Sequence, residues 1–355
     1  MKYSLSGDFL NPWKILFHSS EILTTGSINN IAINPVAVEI HPTTMCNHRC
    51  IHCSYMDRNE NRISLSLEIM EKLVDSLINM NVKSVYFSGG GEPTVYPNLY
   101  KYIKKLSNAN VDVALLTNGS LMIETGIIDC CDCFKYIAIS VPSANKNNFE
   151  YITGSDNFDK VLSCPQLIKT RYGEKAPIVG ARVVITSIIY REIPDIIKAL
   201  FDKSFDYVNF KVVRDYEDRG LGLKDTEITG LREMIESLKP IDSDFTNLET
   251  IFNYRNIEFT NSKCFINEAG LIANINSDGK VYPNIVEIGD EQFCIGNLYN
   301  ESLEQMWHGS MHKKVKFESA RKWENRECKN CRSIAYNQIL YELLSKMPSG
   351  IDNFI

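Results

Sequence analysis

Between Pro35 and Val213 the chain repeats one rhythm: a short β-branched run, a turn, then a helical period. This alternation constrains the fold more than any other feature. Strands are expected at Val36–His41, Ser84–Ser88, Val111–Leu116, Tyr136–Val141, Ile178–Thr186 and Tyr207–Val213. Ser66–Met80 sets Leu67, Met70, Leu73, Val74 and Leu77 on one helical face, and Glu192–Phe201 does the same with Ile193, Ile196, Ile197 and Leu200. Both read as crossover helices between parallel strands. Right-handed crossovers of this length give an α/β fold, either a doubly wound sheet or a full or partial barrel. Either one places function at the C-terminal ends of the strands.

The rhythm stops after one more expected helix, Asp225–Leu238, and the polar stretch Asp242–Asn261 changes the texture of the chain. A domain boundary is placed there, dividing an N-terminal extension (1–34), a barrel-type core (35–240) and a smaller C-terminal unit (241–355). In that unit Leu271–Asn276 and Lys280–Tyr282 flank Ser277-Asp278-Gly279 as a hairpin, and Glu301–Trp307 and Arg332–Lys346 read as helices. A length of 355 residues supports two such parts. The balance of 38 basic against 44 acidic residues speaks against a partner held by bulk positive charge, so no nucleic acid is expected. Met1–Leu10 lacks an apolar core, and no long uncharged apolar stretch follows, so neither a signal peptide nor a membrane span is expected and the location is expected to be cytoplasmic.

Eleven cysteines in a chain of this kind point to metal or redox chemistry rather than to disulfides. Cys46, Cys50 and Cys53 form a Cys-x3-Cys-x2-Cys array directly after the first expected strand. One buried helix face would also give this spacing, and zinc is a second alternative, but three cysteines without a near fourth ligand do not close a tetrahedral zinc shell. On a [4Fe-4S] cluster, three cysteines leave one iron open to a further ligand. After the second strand comes Ser88-Gly89-Gly90-Gly91-Glu92-Pro93, where successive glycines let backbone approach a ligand. Cys130, Cys131 and Cys133 read as packing residues at the end of a third helix, as does Cys164, and Trp13, His18 and Met70 have core readings.

Together the two loops resemble the radical S-adenosylmethionine (radical SAM) superfamily. The resemblance implies a partial (β/α)6 TIM-like barrel in which Cys46, Cys50 and Cys53 hold a SAM-binding [4Fe-4S] cluster and S-adenosylmethionine chelates its open iron. Carried over, His52 stands where an aromatic residue packs near the adenine. Gly89 and Gly91 accommodate the aminoacyl group of SAM, and Glu92 accepts from its ammonium. Asn118 and Ser140 fall at strand ends that face SAM in this family, with Ser140 toward the ribose. By strand alternation Arg182 and Lys211 are candidates to hold the SAM carboxylate or an anionic substrate, with a charge at the barrel rim as the alternative for each.

Late in the chain, Cys264, the Asp278-Gly279 hairpin, Ile295-Gly296-Asn297-Leu298, Ser302–Trp307 and Cys328-x2-Cys331 resemble, in order, the SPASM or twitch extension of that superfamily. The resemblance implies a small C-terminal β-hairpin/helix Fe-S domain with a second, auxiliary [4Fe-4S] cluster on Cys264, Cys294, Cys328 and Cys331. Asn284 stands where relatives carry a cysteine, and Cys294 is expected to supply the missing thiolate. The implied chemistry is reductive cleavage of SAM to a 5′-deoxyadenosyl radical that abstracts hydrogen, with a flavodoxin or ferredoxin as electron donor. Because only a short segment precedes the first strand, the leading expectation is a stand-alone oxidoreductase that dehydrogenates a small polyol or aminosugar-type molecule. The alternative is a maturase that crosslinks or epimerises a ribosomally made peptide. A non-catalytic electron carrier or sensor would need no Gly-Gly-Gly-Glu-Pro loop.

Overall fold

The computed structural model describes residues 12–18, 33–55, 61–215, 218–238, 245–248, 251, 264, 269–325, 327 and 334–345. All six expected strands form: β1 (Ala37–Ile40), β2 (Ser84–Phe87), β3 (Asp112–Thr117), β4 (Phe134–Ser140), β5 (Ile178–Ile185) and β6 (Tyr207–Val212). They are parallel and hydrogen-bonded in sequential order. A doubly wound sheet reverses its strand order at a switch point, whereas a barrel wall does not. The fold is therefore a partial (β/α)6 barrel. It stays open because the outer edge of β1 pairs with β7 (Ile272–Ile275) instead of β6.

Helices α1 (Leu67–Asn79) and α2 (Leu99–Asn108) follow β1 and β2, α3 (Lys146–Thr153) and α4 (Phe158–Tyr172) both follow β4, and α5 (Ile193–Asp202) follows β5. The Ser66 hydroxyl caps α1 by accepting from the Ile69 N–H at 3.2 Å, and the helix buries Ile69, Met70, Leu73, Val74 and Leu77. Leu67, expected on that face, is exposed at the first turn. Alternate strand residues such as Val38, Ile40, Val85, Phe87, Ile137 and Ile139 are buried, while Glu39, Tyr86, Tyr136, Arg182 and Asn209 occupy the opposite face by strand alternation. The crossover from β3 to β4 is not the α-helix expected there. Gly119 and Gly126 turn at positive φ and leave room only for the 3-10 run Ile127–Cys133, in which Cys130 and Cys131 are buried.

After α6 (Asp225–Leu238), β7 and β8 (Lys280–Tyr282) form the expected hairpin, with Ile275 opposite Val281 and Gly279 at φ 83° closing the turn. β9 (Gly296–Asn297) pairs with β8. The hairpin does not make a sheet of its own: it extends the barrel sheet to nine strands. α7 (Leu303–His308) opens on a reciprocal Ser302–Gln305 capping box, and α8 (Ser310–Glu324) follows without having been foreseen. The last helix, α9 (Ile334–Ser345), brings Ile339 and Leu340 against Ile15 and Leu271 in a second small core. Trp13, beside it, is 55% exposed rather than a core residue. No helix among the described residues is long and apolar enough to cross a membrane.

Candidate functional site

β1 delivers the chain through His41 and Pro42 into the cysteine loop, and that loop is tied down on three sides. The Thr44 N–H donates to the Ile63 carbonyl at 2.8 Å. The N–H groups of Arg49 and Ile51 donate to the Thr153 and Ile152 carbonyls (2.8 and 2.9 Å), which lie at the C-terminal end of α3 where carbonyls lack intrahelical partners. The Met45 carbonyl accepts from the Glu92 N–H at 2.8 Å, joining this loop to the one after β2.

Cys46, Cys50 and Cys53 are free, half-buried thiols. Burial pushes Cys46 up to about 11 and Cys50 to about 12, and the thiols act on one another: Cys46 and Cys53 both raise Cys50. Burial also raises Cys53, opposed by the Tyr55 N–H and by the charge of Arg219. The N–H groups of His48 and Tyr55 donate to the sulfurs of Cys46 and Cys53 at 3.4 Å.

A single zinc ion with bonds of about 2.3 Å needs its sulfurs roughly 3.8 Å apart. Among the described residues, no three His, Cys, Asp or Glu side chains gather closely enough to hold one ion. Three neighbouring thiols, two of them with N–H groups directed at their sulfurs, suit an iron-sulfur cluster, which three cysteines hold with one iron open. Burial holds the His48 and His52 rings neutral down to about 4, and one nitrogen on each, His48 Nε2 and His52 Nδ1, is buried without a partner. An unpaired buried ring nitrogen beside Cys53 is what a bound group would satisfy.

The glycine-rich loop packs directly on the cysteine loop. Gly89 has φ 145°, and a Cβ there would meet the Cα and Cβ of His41 at 3.2 Å; at Gly91 a Cβ would run into the Thr44–Met45 backbone. Both glycines are thus required by contact with the chain itself, a different reason from the expected room for a ligand. Glu92 is buried, and both of its oxygens are engaged. Oε1 accepts from the Thr94 N–H and hydroxyl (3.1 and 2.6 Å) and from the Thr117 hydroxyl (2.5 Å), while Oε2 accepts from the Asn118 N–H (2.7 Å). Burial pushes its pKa up, and these donors oppose the shift.

Asn118 in turn donates to Asn47 Oδ1 at 2.8 Å and accepts from the Ser120 N–H and hydroxyl, and Asn47 donates to the Ser120 hydroxyl. A chain of polar contacts therefore runs from Glu92 through Asn118 into the cysteine loop. Asn47, Thr94 and Ser120 were not foreseen, and Thr117 only as part of the strand end that carries Asn118. Their signal was adjacency to the motifs rather than any motif of their own. Arg219 was also missed: from the loop after β6 its Nη1 donates to the Ile51 and Cys53 carbonyls, both at 3.2 Å, while Asp215 accepts from the Arg219 N–H. Ser140 is exposed at the end of β4, in register with Arg182 on β5; Arg182 lies beside Asn209 and Val184 beside Lys211.

At the C-terminal side, Cys264 is buried, and Cys294 is half-buried, donating to the Gly296 carbonyl at 3.3 Å. Asn284 caps a short turn by accepting from the Val286 N–H. Cys328 and Cys331 lie outside the described residues.

Residues 40–208 match the Radical SAM superfamily and residues 264–332 match SPASM, an iron-sulfur cluster-binding domain. The chain belongs to the radical SAM superfamily. Membership brings a [4Fe-4S] cluster and SAM, and the SPASM domain brings further iron-sulfur cluster binding.

The chain is 24% identical over 341 residues to a cysteine-type anaerobic sulfatase-maturating enzyme of Clostridium perfringens, covering 84% of this chain and 86% of that one. It is 23% identical over 309 residues to the antilisterial bacteriocin subtilosin biosynthesis protein AlbA of Bacillus subtilis, covering 84% and 64%. Five other curated relatives are matched over only 21 to 48% of their own length. The fold superposes on Streptococcus suis SuiB bound to the precursor peptide SuiA with a TM-score of 0.63, at 17% identity, over 86% of this chain and 72% of that one.

Proposed function

We propose that this radical SAM protein is a maturase that modifies a peptide or protein substrate. The reading rests on one observation: the relatives matched along most of this chain, through barrel and SPASM domain alike, are named for maturing a sulfatase and for making a bacteriocin. Dehydrogenation of a small polyol or aminosugar, the leading expectation from the sequence, has no such support and gives way to the alternative.

In this reading Cys46, Cys50 and Cys53 hold the SAM-binding cluster, and Cys264, Cys294, Cys328 and Cys331 hold an auxiliary one. When bound, the reduced cluster and SAM supply hydrogen-atom abstraction. The chain's own contribution is orientation and burial. The α3 carbonyls and Arg219 fix the cysteine loop, Glu92 positions Asn118 by accepting its N–H, and Asn118 holds Asn47 between the first two cysteines. Glu92 thus acts on the site through Asn118. His52 would pack against the cofactor when it is bound, and Ser140 would meet its ribose. A flavodoxin or ferredoxin supplies the electron.

The anaerobically reconstituted protein, given dithionite and SAM, is expected to form 5′-deoxyadenosine. Cys50→Ala should abolish this, because two thiolates do not retain the cluster. A peptide encoded beside the gene should change mass on incubation with the wild type and not with the variant. Undiminished 5′-deoxyadenosine formation by Cys50→Ala would remove the cluster assignment, and a sugar substrate turned over in place of any peptide would remove the maturase reading.

A further inference from the structure

The face of the barrel sheet opposite its apolar core carries a polar group that the cysteine and glycine loops do not use. β4, β5 and β6 lie in register, with Ser140 beside Arg182 and Arg182 beside Asn209, and with Gly180 beside Tyr207 one same-face step toward the N-terminal end. Gly180 has negative φ and sits in the interior of a strand, where glycine is ordinarily a poor choice. Its reason is Tyr207: a Cβ on Gly180 would overlap the Tyr207 ring, which lies flat across β5 at this point. The strand gives up a side chain so that an aromatic ring can cover it.

The Arg182 charge acts on Tyr207 and on Tyr136, both nearer the N-terminal end of the sheet than Arg182 itself. Its guanidinium therefore serves the interior of the barrel. Among the described residues the Arg182 side chain makes no hydrogen bond or ion pair, and only its backbone is engaged, the carbonyl accepting from the Val141 N–H at 2.9 Å. The carboxylate that also acts on Tyr136, Glu39 on β1, is already taken by His41 Nε2 at 3.0 Å. Beside Arg182, Asn209 is 5% exposed, and its Oδ1 is buried with no donor. A half-buried cationic fork without a carboxylate and a buried carbonyl oxygen without an N–H thus stand side by side, and the oxygen is costly to leave unmatched.

We infer that Arg182 and Asn209 form the specificity site for an acidic residue of the substrate, with Arg182 receiving the side-chain carboxylate and Asn209 Oδ1 accepting that residue's backbone N–H. The guanidinium matches a carboxylate in two parallel hydrogen bonds, which a lysine at the same place does not reproduce. Of the two roles the sequence left open for Arg182, the SAM carboxylate and an anionic substrate, this takes the second and gives the anion a chemical class. The assignment to a peptide residue rests on the maturase reading; the anion site itself does not.

The test uses holoenzyme loaded with SAM and three probes, N-acetyl-aspartic acid amide, N-acetyl-asparagine amide and succinate, with dissociation constants from anaerobic equilibrium dialysis. The wild type should prefer the aspartate probe over the asparagine probe by about tenfold or more. Arg182→Gln should erase that preference, Arg182→Lys should weaken it, and both variants should hold SAM within about twofold of the wild type. Asn209→Ala should weaken the aspartate probe while leaving succinate unchanged. Succinate bound through Arg182 with neither amide probe bound would keep the anion site and overturn the peptide assignment. Absence of any anion preference in the wild type, or a tenfold loss of SAM affinity in Arg182→Gln with the probe preference intact, would overturn the site.

Discussion

At Glu92 a single carboxylate collects four donors from two loops, so the residue is exposed to a change that leaves its shape intact. In Glu92→Gln one acceptor oxygen becomes an NH2 facing a hydroxyl or an N–H, and a buried donor is left unmet at a cost of about 1 to 3 kcal/mol. The variant should unfold at lower denaturant concentration and bind SAM more weakly, with Thr117→Val showing a smaller loss of the same kind. Wild-type stability combined with weakened SAM binding would put Glu92 in direct contact with the ligand instead. Glu287 tests the opposite sign. Burial raises it to about 7 although Lys322 lies 3.5 Å away. A carboxyl whose folded value lies above its unfolded value of about 4.3 favours the fold fully at low pH and loses that contribution as pH rises through 7. Glu287→Gln should therefore melt higher than the wild type at pH 8, by on the order of 3 kcal/mol, with the difference shrinking toward pH 4; a difference independent of pH would refute the titration. Residues of this kind were the least legible in the sequence. The three cysteines and Gly91-Glu92 announced themselves by spacing, whereas Asn47, Thr117 and Arg219 matter only because distant loops meet.

The elements were easier to read, because a parallel strand covered by helices on one face and enclosed on the other writes a short β-branched apolar run into the chain, as Val36–His41 and Ile178–Thr186 do. The misses have physical causes. The β3–β4 crossover carries apolar residues without helical length, since Gly119 and Gly126 both turn it. α8 is highly charged and presents only a narrow buried stripe through Val315 and Trp323, too sparse for periodicity to betray. α3 has a role its sequence does not show, because its last carbonyls carry the cysteine loop. Asn145 caps this helix by accepting from the Asn148 N–H at 3.1 Å. Asn145→Ala should cost about 1 kcal/mol of helix stability and speed hydrogen exchange at the Arg49 and Ile51 amides, whose acceptors are Thr153 and Ile152. Unchanged exchange at those two amides would detach the helix from the loop.

Across the whole molecule, the parallel pairing of β1 with β7 makes the barrel and the C-terminal hairpin parts of one sheet. The seam reaches the site: the His41 N–H donates to the Ile275 carbonyl, the Ser277 hydroxyl donates to the His41 carbonyl, and His41 is the residue against which Gly89 packs. Continuity of backbone pairing was not legible in the sequence, where the polar stretch before Cys264 looked like a separation. It follows that the SPASM side does not depend on the first three cysteines for its fold, since none of them contributes to the β1–β7 seam. We predict about eight irons per reconstituted chain, four on each cubane. Replacing Cys46, Cys50 and Cys53 together by alanine should leave about four irons with the sheet intact, and circular dichroism should match the wild type. Adding Cys264→Ala to that variant should remove the remainder. Cys294→Ala tests the fourth ligand, since Asn284 is occupied as a turn cap. Loss of iron with Cys294→Ala makes it the fourth thiolate, and retention leaves three thiolates and one iron open to substrate. Zinc in place of iron in the triple variant would reject an auxiliary cluster altogether and leave the hairpin unit a structural cover on the open edge of the barrel.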